Sequence, residues 1–337
     1  MIRTSLGDRK YWEEAVRNGW NSIATAEEQL HKPAGAPTYR AEFVWGLTQD
    51  YPRQTLTQYS RGDAVSALYN PFPKVLDAWE LANREAEFIE REYNPKHVRA
   101  WNFRLDYLEH YNWCFWLVGL ALVFEIPDEQ WKRLIALIGG DGEDALLDRI
   151  IASRQVDRRI GTKILHKKPY VRLLAAVDAK PDLQAIKLKD FVDSWYSELK
   201  RPYNIGIWWY DYGNPEVNPL EKGSYFGRWC VEAVAAVKAF GLDDTLCLGH
   251  EHYPGDLLRP DGPSTHRARR ADSKGGGVRA HLLAVLAFVV TWGLFPNQWL
   301  LGLGLDATWV GGGKVLAAVA VAWWVLVRLR GGPGRVG

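Results

Sequence analysis

Ser224-Tyr-Phe-Gly-Arg-Trp-Cys-Val-Glu-Ala-Val-Ala-Ala-Val-Lys-Ala-Phe240 carries its apolar residues at the three- and four-residue spacing of a helix buried on one side. Phe226, Trp229, Cys230, Ala233, Val237 and Phe240 fall on the inner face, and Ala235, Ala236 and Ala239 let a neighbour approach closely. Gly241 follows as a stop. Arg228 and Glu232 stand at i, i+4, the spacing of an ion pair across one turn, unless one reaches a charge elsewhere such as Arg61. A structural ion pair is the default expectation, and a carboxylate engaged with substrate is the sharper alternative.

The same period recurs along most of the chain. Asp8 is placed to cap a helix to about residue 30, with Tyr11, Trp12, Ala15, Val16, Ile23 and Ala26 on one stripe. Pro33, Gly35 and Pro37 break it. Residues 47–60 and 63–69 read as helices joined at Arg61-Gly62-Asp63, where Gly62 ends one and Asp63 caps the next. Further helices are expected over 74–92, 99–124, 128–138, 144–158 and 189–201. Within the second of these, residues 113–124 form an unbroken apolar run of 12, shorter than the roughly 20 residues a bilayer crossing takes, so a buried core helix is expected. Residues 205–210 are the one serious strand candidate. The fold class is all-α, a multi-helix bundle, divided into an N-terminal domain (1–135), a C-terminal domain (136–258), a linker (259–277) and a hydrophobic tail (278–337).

Charge divides the chain unevenly. Residues 1–258 hold 32 Lys and Arg against 37 Asp and Glu, whereas residues 259–337 hold 10 against three Asp. An acidic body argues against direct binding of nucleic acid, whose phosphates are gripped by Lys and Arg, and favours a basic protein partner. Residues 259–277, with Pro260, Pro263, a basic run at 266–270 and three glycines at 275–277, read as a flexible basic linker. Beyond it, segments of about 278–300 and 308–329 are apolar enough for a transmembrane hairpin, with Trp292, Trp299 and Trp309 near the headgroup level. Arg267, Arg269, Arg270, Lys274 and Arg279 precede the hairpin and Arg328, Arg330 and Arg335 follow it, which places the body on the cytoplasmic side. The alternatives for the tail are two core helices of a small domain, or an extension of the reading frame. Met1 to Asp8 lack an apolar run after Arg3, so no cleavable export signal is expected. Cys114, Cys230 and Cys247 sit in or near apolar stretches, as reduced core cysteines do.

Few residues carry the marks of chemistry. Cys247-x-x-His250-x-His252 has the ligand types of a zinc site, but no second cluster supplies a fourth ligand, and a turn is the preferred reading. Trp208-Trp-Tyr-Asp-Tyr212 with Glu216 resembles the lining of a sugar site, which keeps a carbohydrate- or lipid-modifying enzyme as a rival. In a chain with 17 Trp, however, such density is more often core and interface material. Gly139-Gly-Asp-Gly142 lacks the Lys-Ser/Thr ending of a phosphate loop. Arg158, Arg159, Lys163, Lys167 and Lys168 read as a solvated basic face. No catalysis, cofactor or metal is expected.

Tyr59-Ser-Arg-Gly-Asp63, Trp79-Glu80, Gly223-Ser-Tyr-Phe-Gly-Arg-Trp-Cys-Val-Glu-Ala233, Gly241-Leu-Asp-Asp244 and Tyr253-Pro-Gly-Asp-Leu257 together resemble the PoNe immunity proteins, a family with two domains once listed as of unknown function. The resemblance spans roughly residues 8–258 and implies an α-helical protein that neutralises a DNA-degrading toxin delivered by type VI secretion or similar machines. Arg61, Gly62, Asp63, Tyr225, Gly227, Trp229, Glu232, Tyr253, Pro254 and Asp256 match the family's signature, and we read them as mainly structural. The hydrophobic tail departs from the usual pattern. Candidate contacts to a basic nuclease are Asp211, Glu216 and Glu221, with Tyr210 and Tyr212 as aromatic anchors. The remaining alternative is a membrane adaptor with no toxin partner, and a toxin-like gene next door would separate the two.

Overall fold

The computed structural model describes residues 1–32, 39–93, 104–202 and 207–267. Among them the regular structure is helical, with no strand. Ten helices run in chain order: α1 Arg9–Leu30, α2 Arg40–Arg61, α3 Phe72–Glu92, α4 Leu108–Val123, α5 Asp128–Ile138, α6 Leu147–Ala152, α7 Lys167–Val177, α8 Pro181–Glu198, α9 Trp208–Tyr212 and α10 Val231–Phe240. They form one compact unit, Met1–Ala268. The hairpin expected over 278–300 and 308–329 lies outside the described residues. Within them no helix is long and apolar enough to cross a membrane.

α1 begins where Asp8 accepts a hydrogen bond from the Tyr11 amide at 2.8 Å, satisfying one of the first-turn donors that have no partner within the helix. Trp12, Val16 and Ile23 then face α2. Asp8→Ala is expected to cost about 1 kcal/mol, a modest drop in urea midpoint without a change of slope. No change in midpoint would mean that burial of Trp12 alone fixes the helix start.

α2 pairs with α3, α7 with α8, and α4 with α10. The last pair is the centre of the unit. Residues 111–122 of α4 are buried on every side, which is why this stretch has no polar face. At Gly119 an added Cβ would lie 2.8 Å from Val231 Cγ1 and 3.1 Å from the Ala235 Cβ. Glycine and alanine at the crossing let the two backbones approach, as the alanine-rich sequence of α10 suggests.

Several expectations are corrected. The helix expected over 224–240 begins only at Val231. Residues 224–230 are irregular, turned at Gly227 by a backbone φ of +106°, because their backbone carbonyls serve the other half of the protein. Tyr11 donates to the carbonyl of Tyr225, and Ser60 to that of Phe226. Burial of Tyr225, Phe226, Trp229 and Cys230 thus mimics helical spacing without a helix. Of the strand candidate at 205–210, residues 208–210 belong to the short helix α9, which Ile207 precedes, and residues 205 and 206 lie outside the described residues. Residues 144–158 yield only the short α6, because Asp144 and Asp148 fold the flanking loops inward. Asp144 accepts from the Leu146, Leu147 and Leu165 amides and from Tyr111, while Asp148 accepts from Gly161 and Arg158. Arg158 is therefore buried and paired, and does not belong to a solvated basic face. Finally, the first residues of the expected flexible linker, 259–266, contact the body, and residues 268–277 lie outside the described residues. Arg259, Ser264, Thr265 and His266 pack onto the body through Asp244, Asp256 and Tyr59.

Candidate functional site

Three groups of polar residues stand out, and two are internal. The first is the seam that joins the two ends of the body. Arg3 donates from Nε to Asp256 at 2.6 Å and from a terminal nitrogen to the carbonyls of Tyr59 and Asp63. Asp256 also accepts from Ser264 and from the backbone and side chain of Thr265. Burial pushes the Asp256 carboxyl up, but these donors outweigh it and hold the group at about 2. Next to it Tyr59 meets His266 at 2.7 Å and Trp229 edge-on, and Trp229 donates to Ser60. Burial drives His266 down to about 4, so this contact is between neutral groups near pH 7. Gly62 and Gly227 close the seam. A Cβ on Gly62 would strike the Met1 carbonyl at 2.0 Å, and one on Gly227 would lie 2.2 Å from the Trp229 ring nitrogen. Arg61 pairs with Asp63, and Tyr253 donates to Asp244, which is also gripped by Arg259.

The second group surrounds Glu232, which is fully buried. Its Oε1 accepts from Asn112 (2.7 Å), Trp195 (3.0 Å) and Tyr170 (3.2 Å), and its Oε2 has no partner among the described residues. Burial raises its pKa to about 7 against the lowering effect of these donors. Among the described residues no cation pairs with it. Arg228, expected as its partner, instead lies 4.2 Å over the Tyr196 ring and donates to Asn214. The i, i+4 pairing fails because residue 228 precedes the helix. Asn112 also accepts from Trp209, so one hydrogen-bond chain runs from Glu232 to α9.

The third group is on the surface. α9 and the loop after it hold Tyr210, Asp211, Tyr212, Glu216 and Glu221. Tyr210 stacks on Tyr196 with ring centroids 4.6 Å apart, so it is part of the scaffold as much as the surface. Tyr212 and Val217 are more than half exposed. Asp211, Glu216 and Glu221 form no ion pair among the described residues. The five candidate contacts, neighbours in sequence, lie on α9 and the loop after it, while the signature residues lie at the seam and around Glu232. Cys247, His250 and His252 do not converge: His252 Nδ1 lies 3.2 Å from the Arg228 carbonyl, and His250 lies 3.4 Å from Asp193. Among the described residues no group of three His, Cys, Asp or Glu side chains is placed to hold a metal.

Two family profiles match this chain. Residues 3–136 match the N-terminal part of the PoNe immunity proteins (PoNi), and residues 142–257 match the C-terminal part. The chain belongs to the PoNe immunity protein family. As an immunity protein it is not an enzyme, which removes the sugar-site reading of Trp208 to Glu216. The crystal structure of protein PA2201 from Pseudomonas aeruginosa has a similar fold, with a TM-score of 0.57 and 19% sequence identity over 77% of this chain and 90% of that one. Curated proteins gave no significant match.

Seen as a PoNe immunity protein, the chain's signature becomes physically legible. Tyr59, Ser60 and Gly62 belong to the first matched region, and Gly227, Trp229 and Asp256 to the second, so the signature residues touch one another across the seam. Sequence reasoning missed Arg3, Asn112 and His266. Only contact between distant segments reveals them, although an arginine near the start of an otherwise apolar-poor segment was a signal for Arg3.

Proposed function

We propose that this protein neutralises a PoNe-type, DNA-degrading toxin by binding it, with the segment from Tyr210 to Glu221 as the contact surface. The observation that carries the reading is the set of three carboxylates without ion-pair partners, Asp211, Glu216 and Glu221, beside the exposed Tyr212. A nuclease presents positive charge to DNA, and unpaired acids on a partner are complementary to such a surface. Tyr212 supplies the aromatic area that commonly anchors an interface. The acids either occupy the DNA cleft in place of phosphate or hold an outer face so that DNA is blocked. The toxin is delivered by type VI secretion or a similar machine, and the apolar segments 278–300 and 308–329 tether the body to the cytoplasmic face of the inner membrane.

Conversion of Asp211, Glu216 and Glu221 to lysine is expected to weaken binding to the neighbouring nuclease by about 10- to 100-fold, read by calorimetry, and to abolish rescue in a co-expression killing assay. Unchanged affinity would move the contact surface elsewhere. Detergent-free fractionation of the tagged full chain tests the tether, which fails if the protein stays in the soluble fraction.

A further inference from the structure

A second feature lies next to this segment. α1, α2 and residues 220–226 enclose a groove of about 260 Å³ whose walls include Glu14, Asn18, Gln54, Glu221 and Ser224. Two carboxylates, Glu14 and Glu221, and the Gln54 amide oxygen place acceptors in its wall, beside the donors of Asn18, Ser22 and Arg53. Glu14 and Glu221 pair with no cation among the described residues. Arg53, the cation in the wall, is already matched by Asp50 at 3.3 Å and lies 5.9 Å over the Trp208 ring. Tyr11 is closed off by its hydrogen bond to the Tyr225 carbonyl.

Gln54 is the decisive residue. Its side chain is only 3% exposed, and its Nε2 donates to the Val16 carbonyl at 2.8 Å. That bond fixes the amide and leaves Oε1 as an acceptor with no donor among the described residues. Oε1 rests against Gly19, in the middle of α1, where a Cβ would come within 2.0 Å of it. A glycine inside a helix costs about 1 kcal/mol relative to alanine, so this sequence gives up helix stability to seat a polar oxygen at the groove.

We propose that this groove receives an arginine side chain of the bound nuclease, with Glu14, Glu221 and Gln54 Oε1 as its acceptors; the inference rests on the toxin-binding reading above. Arginine has five donors in a planar fork and no acceptor, which complements two carboxylates and a fixed amide oxygen. The groove is open to solvent and large enough for a guanidinium and part of its stem. A DNA-binding enzyme carries arginine on the surface that this acidic body faces.

The test uses the full chain and a catalytically inactive form of the nuclease encoded beside its gene. Two variants probe the groove without touching Asp211 or Glu216. Glu14→Gln removes a carboxylate that forms no hydrogen bond or ion pair among the described residues, and Ser22→Trp fills the groove from an exposed position. Each is expected to weaken binding at least tenfold, and arginine-to-alanine scanning of the nuclease is expected to find one position whose loss is no longer felt in the Glu14→Gln background. Tight binding by wild type with both variants within twofold of it overturns the groove and leaves the toxin-binding reading intact. Absence of binding by wild type overturns both.

Discussion

Asp256→Ala is expected to destabilise the body by about 3–5 kcal/mol, the cost of leaving a buried arginine without its counter-charge. The side chains of Arg3 and Asp256 are 9% and 4% exposed, so water does not replace the lost partner. Ser264 and Thr265 lose their acceptor at the same time. In urea denaturation at pH 7 the midpoint should fall sharply. The variant should also lose a pH dependence that the parent has. Because the folded protein holds this carboxyl at about 2, below the usual value of 3.8, the group stabilises the fold above pH 4. That contribution is lost as pH falls towards 2, so parent and variant should converge in acid. Replacing both partners, as Arg3→Met with Asp256→Leu, should recover part of the loss because no charge is left stranded. A change below 1 kcal/mol in Asp256→Ala would show that the seam is held by its aromatic contacts instead.

Glu232 should produce the opposite pH dependence. Its pKa rises from 4.5 in a freely solvated chain to about 7 in the folded one, so the folded state binds the extra proton between those values. Stability therefore decreases as pH rises from 4.5 to 7 and is lower above that range by about 3 kcal/mol, the value of a shift of this size at roughly 1.4 kcal/mol per unit. Glu232→Gln keeps an acceptor for Asn112, Tyr170 and Trp195 and cannot ionise. It should flatten the decline and be the more stable protein at pH 8. Equal slopes for the two proteins between pH 5 and 8, measured by urea unfolding, would place the titration elsewhere. The raised pKa here belongs to a structural acid, since its donors come from α4, α7 and α8 and the group is sealed from solvent.

The helices were legible where one face is apolar and the ends are marked. Asp8, Gly139 and Gly241 mark boundaries that the structure keeps within a residue or two. The failures share a cause. Residues 224–230 place Tyr225, Phe226, Trp229 and Cys230 at a spacing that imitates a helix, because these side chains are buried from an irregular backbone and burial alone carries no period. α7 was missed because its exposed Val171 and buried Tyr170 and Leu173 blur the stripe. The surface candidates were legible as composition, acids and tyrosines in one loop. Groove acceptors Glu14 and Gln54 were not, because 207 residues separate Glu14 from Glu221 and only the tertiary packing places them together.

The seam has a consequence for how the body comes apart. Arg3 and His266 reach Tyr59 from the two ends of the described unit, one over its ring at 4.5 Å and the other at its hydroxyl. Neither end can peel back without uncovering the tyrosine that holds the other. The body behaves as a belt with one buckle, so fraying from a terminus, the usual first step of local opening, is replaced by a single event that releases both ends together.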